Sequence, residues 1–209
     1  MNKVITEAIG TFFLVFAVVG AVAQATPLAA FAIGGMLAVA VYAGGHISGA
    51  HYNPAVSIAA FIRGRLPGAE LPAYIGAQLV GASLASLLAA WVFRSPTPPA
   101  IAWSGRTLIA ALVVEALFTF FLAFVVLNVA TSKDHPDNSF YGLAIGGTVL
   151  AGILLVGSIS GAAFNPAVAL GVTLAKLSAW GNLWAYVVAQ VVGGALAAVA
   201  FRALNPDDE

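Results

Sequence analysis

Two copies of the same helix start, set in a chain that carries almost no charge, restrict this sequence more than any other feature. Asn53-Pro54-Ala55-Val56 recurs as Asn165-Pro166-Ala167-Val168, and each copy follows a Ser-Gly-Ala approach, Ser48-Gly49-Ala50 and Ser160-Gly161-Ala162. Asparagine is a preferred helix N-cap and proline a preferred first helical residue, so each copy begins a helix. The surrounding chain is 61% hydrophobic and 8% charged, against about 25% charged in a soluble domain. A helix start in apolar surroundings brings a positive dipole end and unpaired backbone to a depth where hydrocarbon tolerates neither. Such backbone survives where it is buried in protein or lines a watery cavity. Two of them predict a pore.

Six apolar stretches are long enough, or nearly so, to cross about 30 Å of hydrocarbon at about 1.5 Å per residue. They cover residues 4–25, 28–45, 72–93, 107–130, 140–157 and 183–201. The predicted fold class is therefore an all-α membrane protein. Residues 8–20 with Lys3 and the triplet Ala21-Val22-Ala23 have the composition of a secretory signal. Glu7 interrupts that order, however, and the segment has a counterpart later in the chain. Zero net charge with eight basic residues leaves no nucleic-acid surface, and the absence of cysteine excludes disulfides and thiolate sites.

The chain repeats itself. Glu7 opens Glu-Ala-Ile-Gly-Thr-Phe-Phe-Leu, and Glu115 opens Glu-Ala-Leu-Phe-Thr-Phe-Phe-Leu. Tyr74-Ile-Gly-Ala-Gln78 returns as Tyr186-Val-Val-Ala-Gln190. The glutamates lie 108 residues apart, and the asparagines and tyrosines 112. One channel domain, residues 1–209, thus contains repeats 1–93 and 107–203 joined by the Pro-rich residues 94–106. Three spans per repeat is an odd number, so the second repeat starts on the opposite side of the bilayer and is inverted. Residues 54–62 make about 13.5 Å of helix, near half the hydrocarbon thickness. Two re-entrant half-helices can therefore meet tip to tip at the midplane.

Around that meeting point, residues 44–52 and 157–164 are expected to be unwound and to offer a ladder of carbonyl acceptors. The oxygens of Asn53 and Asn165 cap their helices, and their amide groups are expected to donate into the lumen. Two opposed positive helix ends raise the potential there, which repels cations and leaves neutral molecules unaffected. Lys3, Arg63, Arg65, Lys133 and Arg202 fall on one side, and Arg94, Arg106 and Lys176 on the other. That bias places both termini in the cytoplasm. Gly76, Gly81, Gly193 and Gly194 suit close helix crossings, and Trp180, Trp184 and Tyr186 suit an interfacial anchor.

The whole chain resembles an aquaporin of the major intrinsic protein family, in its six spans, its two Asn-Pro-Ala half-helices and the glutamate opening each half. The resemblance implies a homotetramer in membrane lipid with one pore per subunit, passing water or small neutral solutes and needing no cofactor. It suggests a bacterial-type member, multi-pass in the plasma (bacterial inner) membrane. By the same resemblance Asn53, Pro54, Ala55, Asn165, Pro166 and Ala167 line the pore, and Glu7 and Glu115 brace the loops before the half-helices. His46 is expected to bond loop backbone. The constriction positions map to Ile33, Ile153, Ala162 and Val168. Water- or glycerol-selective members usually carry arginine where Val168 stands, so this ring resembles an apolar, wider filter. The expected cargo is polyol-like molecules or metalloid hydroxides such as arsenous or boric acid, with water also crossing; a water-selective or ammonia channel is the alternative.

Other classes fit less well. His46 and His51 are five residues apart, lack a carboxylate partner and do not have metal-ligand spacing. His135 falls in a polar connection. Ser48, Ser158 and Ser160 bring hydroxyls to the apolar region without a nucleophile elbow or base, which disfavours an intramembrane enzyme. An ion-coupled transporter needs titratable groups that change partners; Glu7 and Glu115 serve better as symmetric braces.

Overall fold

The structure, a computed structural model, describes residues 1–93 and 99–208. Arg94, assigned above to the outer side, and residues 95–98 of the connection lie outside the described residues. Among the described residues there are eight α-helices: α1 (Asn2–Ala23), α2 (Ala29–Ser48), α3 (Pro54–Arg63), α4 (Leu71–Val92), α5 (Gly105–Thr131), α6 (Tyr141–Ser160), α7 (Pro166–Leu174) and α8 (Leu183–Leu204). A 3-10 turn, Trp180–Asn182, leads into α8. Six of these helices are long and apolar enough to cross a membrane, and α3 and α7 are the half-length pair.

Composition explains which faces turn inward. Phe13, Leu84, Leu117, Leu155 and Leu196 are exposed on the spans, whereas Glu7, Thr11, Gln78, Glu115, Thr119 and Gln190 are buried. Apolar side chains outward and polar ones inward suit a hydrocarbon solvent. Within the first half α1 packs on α4, and within the second α5 packs on α8; α2 crosses α6 between halves. Gly81 and Gly193 permit the first two contacts. A β-carbon at Gly81 would stand 2.3 Å from the Ala8 carbonyl oxygen, and one at Gly193 2.4 Å from that of Ala116. A β-carbon on Gly194 would stand 2.6 Å from the Ala55 carbonyl oxygen, whereas one on Gly76 would meet nothing within 4 Å among the described residues, so Gly76 is not required for a crossing there.

The unwound approaches are shorter than expected. α2 continues to Ser48 and α6 to Ser160, because nothing before Gly49 or Gly161 breaks them. Those glycines take φ of +84° and +86° and cap the helices in the left-handed conformation. The true approaches are residues 49–52 and 161–164.

Basic residues of one end gather around the tail. Arg63, at the end of α3, is buried, with its guanidinium 4.6 Å over the Phe201 ring and 2.7 Å from Asp208 Oδ1. Arg65 reaches the same oxygen at 3.5 Å, and the Lys133 N–H donates to Oδ2 at 3.2 Å. The Lys133 ammonium also meets the Asp207 carbonyl. Burial raises the pKa of Asp208, but the Ser132 hydroxyl, the Lys133 N–H and the two guanidiniums outweigh it and hold the carboxyl below its usual value. A depressed carboxylate pKa stabilises the fold above the unfolded value and loses that effect as pH falls through the folded one. Asp208→Asn should therefore lower the Tm of the detergent-solubilised protein by a few degrees at neutral pH. The gap between parent and variant should be full at neutral pH and narrow progressively as pH falls below about 3.9, as a thermal-shift series across pH would show.

Candidate conduction pathway

Each approach is a short strained loop. Besides the glycines, Ala50, Tyr52, Ala162 and Phe164 adopt positive φ, between +48° and +52°. That conformation costs an L-residue about 1–2 kcal/mol, so something must hold it. In the first half Glu7 does so: Oε1 accepts the Ser48 hydroxyl at 2.7 Å and the His51 N–H at 2.9 Å. Oε2 accepts the Tyr52 N–H at 2.7 Å and the Gln78 amide at 2.8 Å. Glu115 repeats the pattern with Ser160 at 2.6 Å, Ala163 N–H at 3.0 Å, Phe164 N–H at 2.8 Å and Gln190 at 2.8 Å.

The two tyrosines close each loop from the other side. Tyr74 donates to the Ser48 carbonyl at 2.8 Å, and Tyr186 donates to that of Ser160. Tyr186 is thus a buried brace, not the interfacial anchor expected from its tryptophan neighbours. Trp180 and Trp184 are exposed. Ser48 and Ser160 are engaged by the glutamates, which leaves neither as a poised nucleophile.

Beyond the loops the half-helices begin as the motif dictates. Asn53 Oδ1 accepts the Ala55 N–H at 2.9 Å, and Asn165 Oδ1 accepts those of Ala167 and Val168 at 2.9 and 3.4 Å. Pro54 and Pro166 occupy the first helical turn. The amide groups, expected to be free for the lumen, are each committed in part. Asn53 Nδ2 donates to the Phe164 carbonyl at 2.9 Å, and Asn165 Nδ2 to the Tyr52 carbonyl at 2.8 Å. These reciprocal bonds tie the two tips together, and each amide keeps one hydrogen for the lumen.

A cavity of about 440 Å³ runs beside the tips and is lined by both asparagines. Ile33, Ile153, Ala162 and Val168 all face it, so the four positions mapped from the sequence share one space. Among the described residues no lysine, arginine, aspartate or glutamate lines it. His46 does not play its expected part: it is exposed on α2 and, among the described residues, bonds no loop backbone. One helical turn before the Gly49 cap, it points away from the loop. His51 is the histidine that matters. It lines the cavity, with Nδ1 3.1 Å from Ser57 Oγ and its ring 5.2 Å from that of Tyr74. Its place two residues before Asn53, where the second copy has Ala163, was the available signal.

The sequence profile described as major intrinsic protein matches residues 1–201. The chain belongs to that family. It is 41% identical to Aquaporin NIP1-1 of Zea mays, over 98% of this chain and 75% of that protein. It is 36% identical to Nodulin-26 of Glycine max, over the whole of this chain and 80% of that one. Its fold superposes on the aquaglyceroporin from Plasmodium falciparum with a TM-score of 0.82 and 26% identity, covering 96% of this chain and 94% of that one. It is a multi-pass integral membrane protein and a channel for small neutral solutes, not an enzyme. The two relatives are plant proteins and lend no support to a bacterial inner membrane.

Losing a brace should be costly. Glu115→Ala orphans the buried N–H groups of Ala163 and Phe164, at about 1–3 kcal/mol each. Glu115→Gln turns an NH2 toward a donor and should lower Tm more than Ser160→Ala, which deletes one hydroxyl. Size-exclusion yield and thermal unfolding would read this; parent-like stability of Glu115→Ala would rule the brace out.

Proposed function

We propose that this channel passes uncharged solutes bulkier than water, polyol-like molecules and metalloid hydroxides such as arsenous or boric acid, and that water crosses with them. The observation that carries the reading is Val168. It stands where a filter arginine is usual, in a cavity whose lining bears no formal charge. Ile33, Ile153, Ala162 and Val168 form the filter, and Asn53, Pro54, Ala55, Asn165, Pro166 and Ala167 form the midpoint. A hydroxylated solute sheds water at the apolar ring and regains partners from the remaining asparagine hydrogens and the carbonyls of the approaches. The ring excludes by width, and the opposed half-helix ends disfavour cations.

In this reading residues 1–93 and 107–203 act as inverted repeats of a single domain. Four copies assemble in the plasma membrane with lipid around them and both termini in the cytoplasm. The cluster of Lys3, Arg63, Arg65, Lys133 and Arg202 supports that orientation by the excess of positive charge on cytoplasmic loops. A water-selective or ammonia channel is the alternative outcome of the same experiment.

Stopped-flow flux in proteoliposomes decides between them. Parent protein should pass glycerol, boric acid and arsenous acid as well as water. Val168→Arg adds a planar cation with five donors to the ring. It should cut flux of boric and arsenous acid by about tenfold or more while glycerol and water fall less. Parent vesicles permeable to water or ammonia alone would overturn the proposal. Unchanged solute selection in Val168→Arg would remove Val168 from the filter.

A further inference from the structure

We propose that Ile101, in the segment joining the two halves, is a further specificity-determining residue of the pathway, and that Asn182 is the positioning residue that fixes it. The proposal rests on the reading of the central cavity as the solute route. Ile101 and Pro99, in the Pro-rich connection between repeats, line that cavity.

Three backbone bonds hold Ile101 in place. Its N–H donates to the Leu177 carbonyl at 2.9 Å, and its own carbonyl accepts the Ala179 N–H at 2.9 Å. The Asn182 amide donates to the same carbonyl at 2.8 Å. This is a β-bridge between the connection and the chain that follows α7, Ile101 paired with Ser178. Asn182 is buried at the start of α8 and completes the staple. Its Nδ2 also reaches Ser178 Oγ at 3.2 Å, and its Oδ1 accepts the Trp103 N–H at 3.3 Å. The Trp103 ring packs 4.6 Å from that of Tyr186, which bonds the Ser160 carbonyl at the root of the second approach. The segment is therefore a wall tied to the filter loop.

What that wall supplies follows from Gly161. The left-handed cap at φ +86° demands glycine there, which leaves a side-chain-sized gap immediately before Ala162, the smallest filter residue. Ile101 and the Tyr186 hydroxyl fill it together: Ile101 Cδ1 lies 3.1 Å and the Tyr186 oxygen 3.2 Å from the point a β-carbon on Gly161 would occupy. A β-branched side chain on a pinned backbone has few rotamers, so the filling is rigid. Ile101 thus completes the apolar perimeter on the side where Gly161 and Ala162 would otherwise leave it wide. The size limit should depend on it as it does on Ile33, Ile153 and Val168.

The test uses purified full-length protein in proteoliposomes, with permeability measured for water, glycerol and erythritol. Ile101→Ala should raise the erythritol-to-glycerol ratio about threefold or more while water changes by less than about twofold. Ile101→Phe should move the ratio the other way. Asn182→Ala should shift it in the same direction as Ile101→Ala, and the double variant should add little to Ile101→Ala alone, since both act through one side chain. If Ile101→Ala fails to reconstitute, Ile101→Val should show a smaller shift of the same sign. An unchanged ratio in a variant that still conducts water overturns the proposal, and an additive double variant overturns the part assigned to Asn182. If the parent passes only water and ammonia, the bulkier-solute reading above fails by itself. Ile101 is then judged on the methylamine-to-ammonia ratio, where no shift is again a refutation.

Discussion

A buried carboxylate in each half holds up everything else in this molecule. Re-entrant backbone in hydrocarbon has no water to bond, and these loops add two non-glycine residues each in left-handed conformation. Glu7 and Glu115 answer both demands with four donors apiece, drawn from the helix end before the loop, the loop itself and the last span of the same half. Four donors on two oxygens match the acceptor-only inventory of a carboxylate. With the loops fixed, their carbonyls face the opposite half, and Asn53 and Asn165 find them across the midplane. The tip contact is therefore a consequence of the braces, since an unheld loop would not present its carbonyl to the partner asparagine.

The two halves are alike in their braces and unlike in their walls. Position for position, His51 answers to Ala163 and Ser57 to Ala169. Gln78 divides its amide between Glu7 and Ser57, and Ser57 in turn meets His51. Gln190 has Glu115 alone among these partners. Of these residues His51 and Ala163 line the cavity, so the first approach offers it an imidazole where the second offers a methyl group.

The large features were legible because they are local or periodic. Six spans follow from hydropathy, the half-helices from Asn-Pro and the inversion from an odd number of spans per repeat. The mapping of Ile33, Ile153, Ala162 and Val168 to one cavity followed from the family resemblance, placed on this chain by distance from the Asn-Pro-Ala motifs. What escaped is non-local. The approaches looked unwound from Gly44 and Gly157, yet each helix runs on to a serine and is capped by the glycine after it. The asparagine amides looked free because their acceptors, Tyr52 and Phe164, lie more than a hundred residues away. Tyr186 sat among tryptophans and was assigned their role, although its equivalence with Tyr74 pointed inward. Ile101 carried no signal at all, since only the pairing with Leu177 and Ala179 turns a connecting segment into a pore wall.

With Val168 in the filter as proposed, charge exclusion works without a filter cation. Each half-helix end carries about +0.5 charge. At roughly 5 Å and an effective dielectric near 20, it opposes a monovalent cation by about 2 kcal/mol. Two ends give about twice that, but the carboxylates of Glu7 and Glu115 stand behind the loops with the opposite sign and offset part of it. The larger barrier is the lining. Stripping water from an ion costs several kcal/mol even after relaxation, and a ring of isoleucine, valine and alanine returns none of it. A neutral polyol or metalloid hydroxide loses only hydrogen bonds, of about 1–3 kcal/mol per unmatched group, and recovers some at the asparagines a few ångströms on. In the proposed filter, valine in the place of arginine would forgo an electrostatic gate without opening the pore to ions, because an apolar perimeter returns none of an ion's hydration.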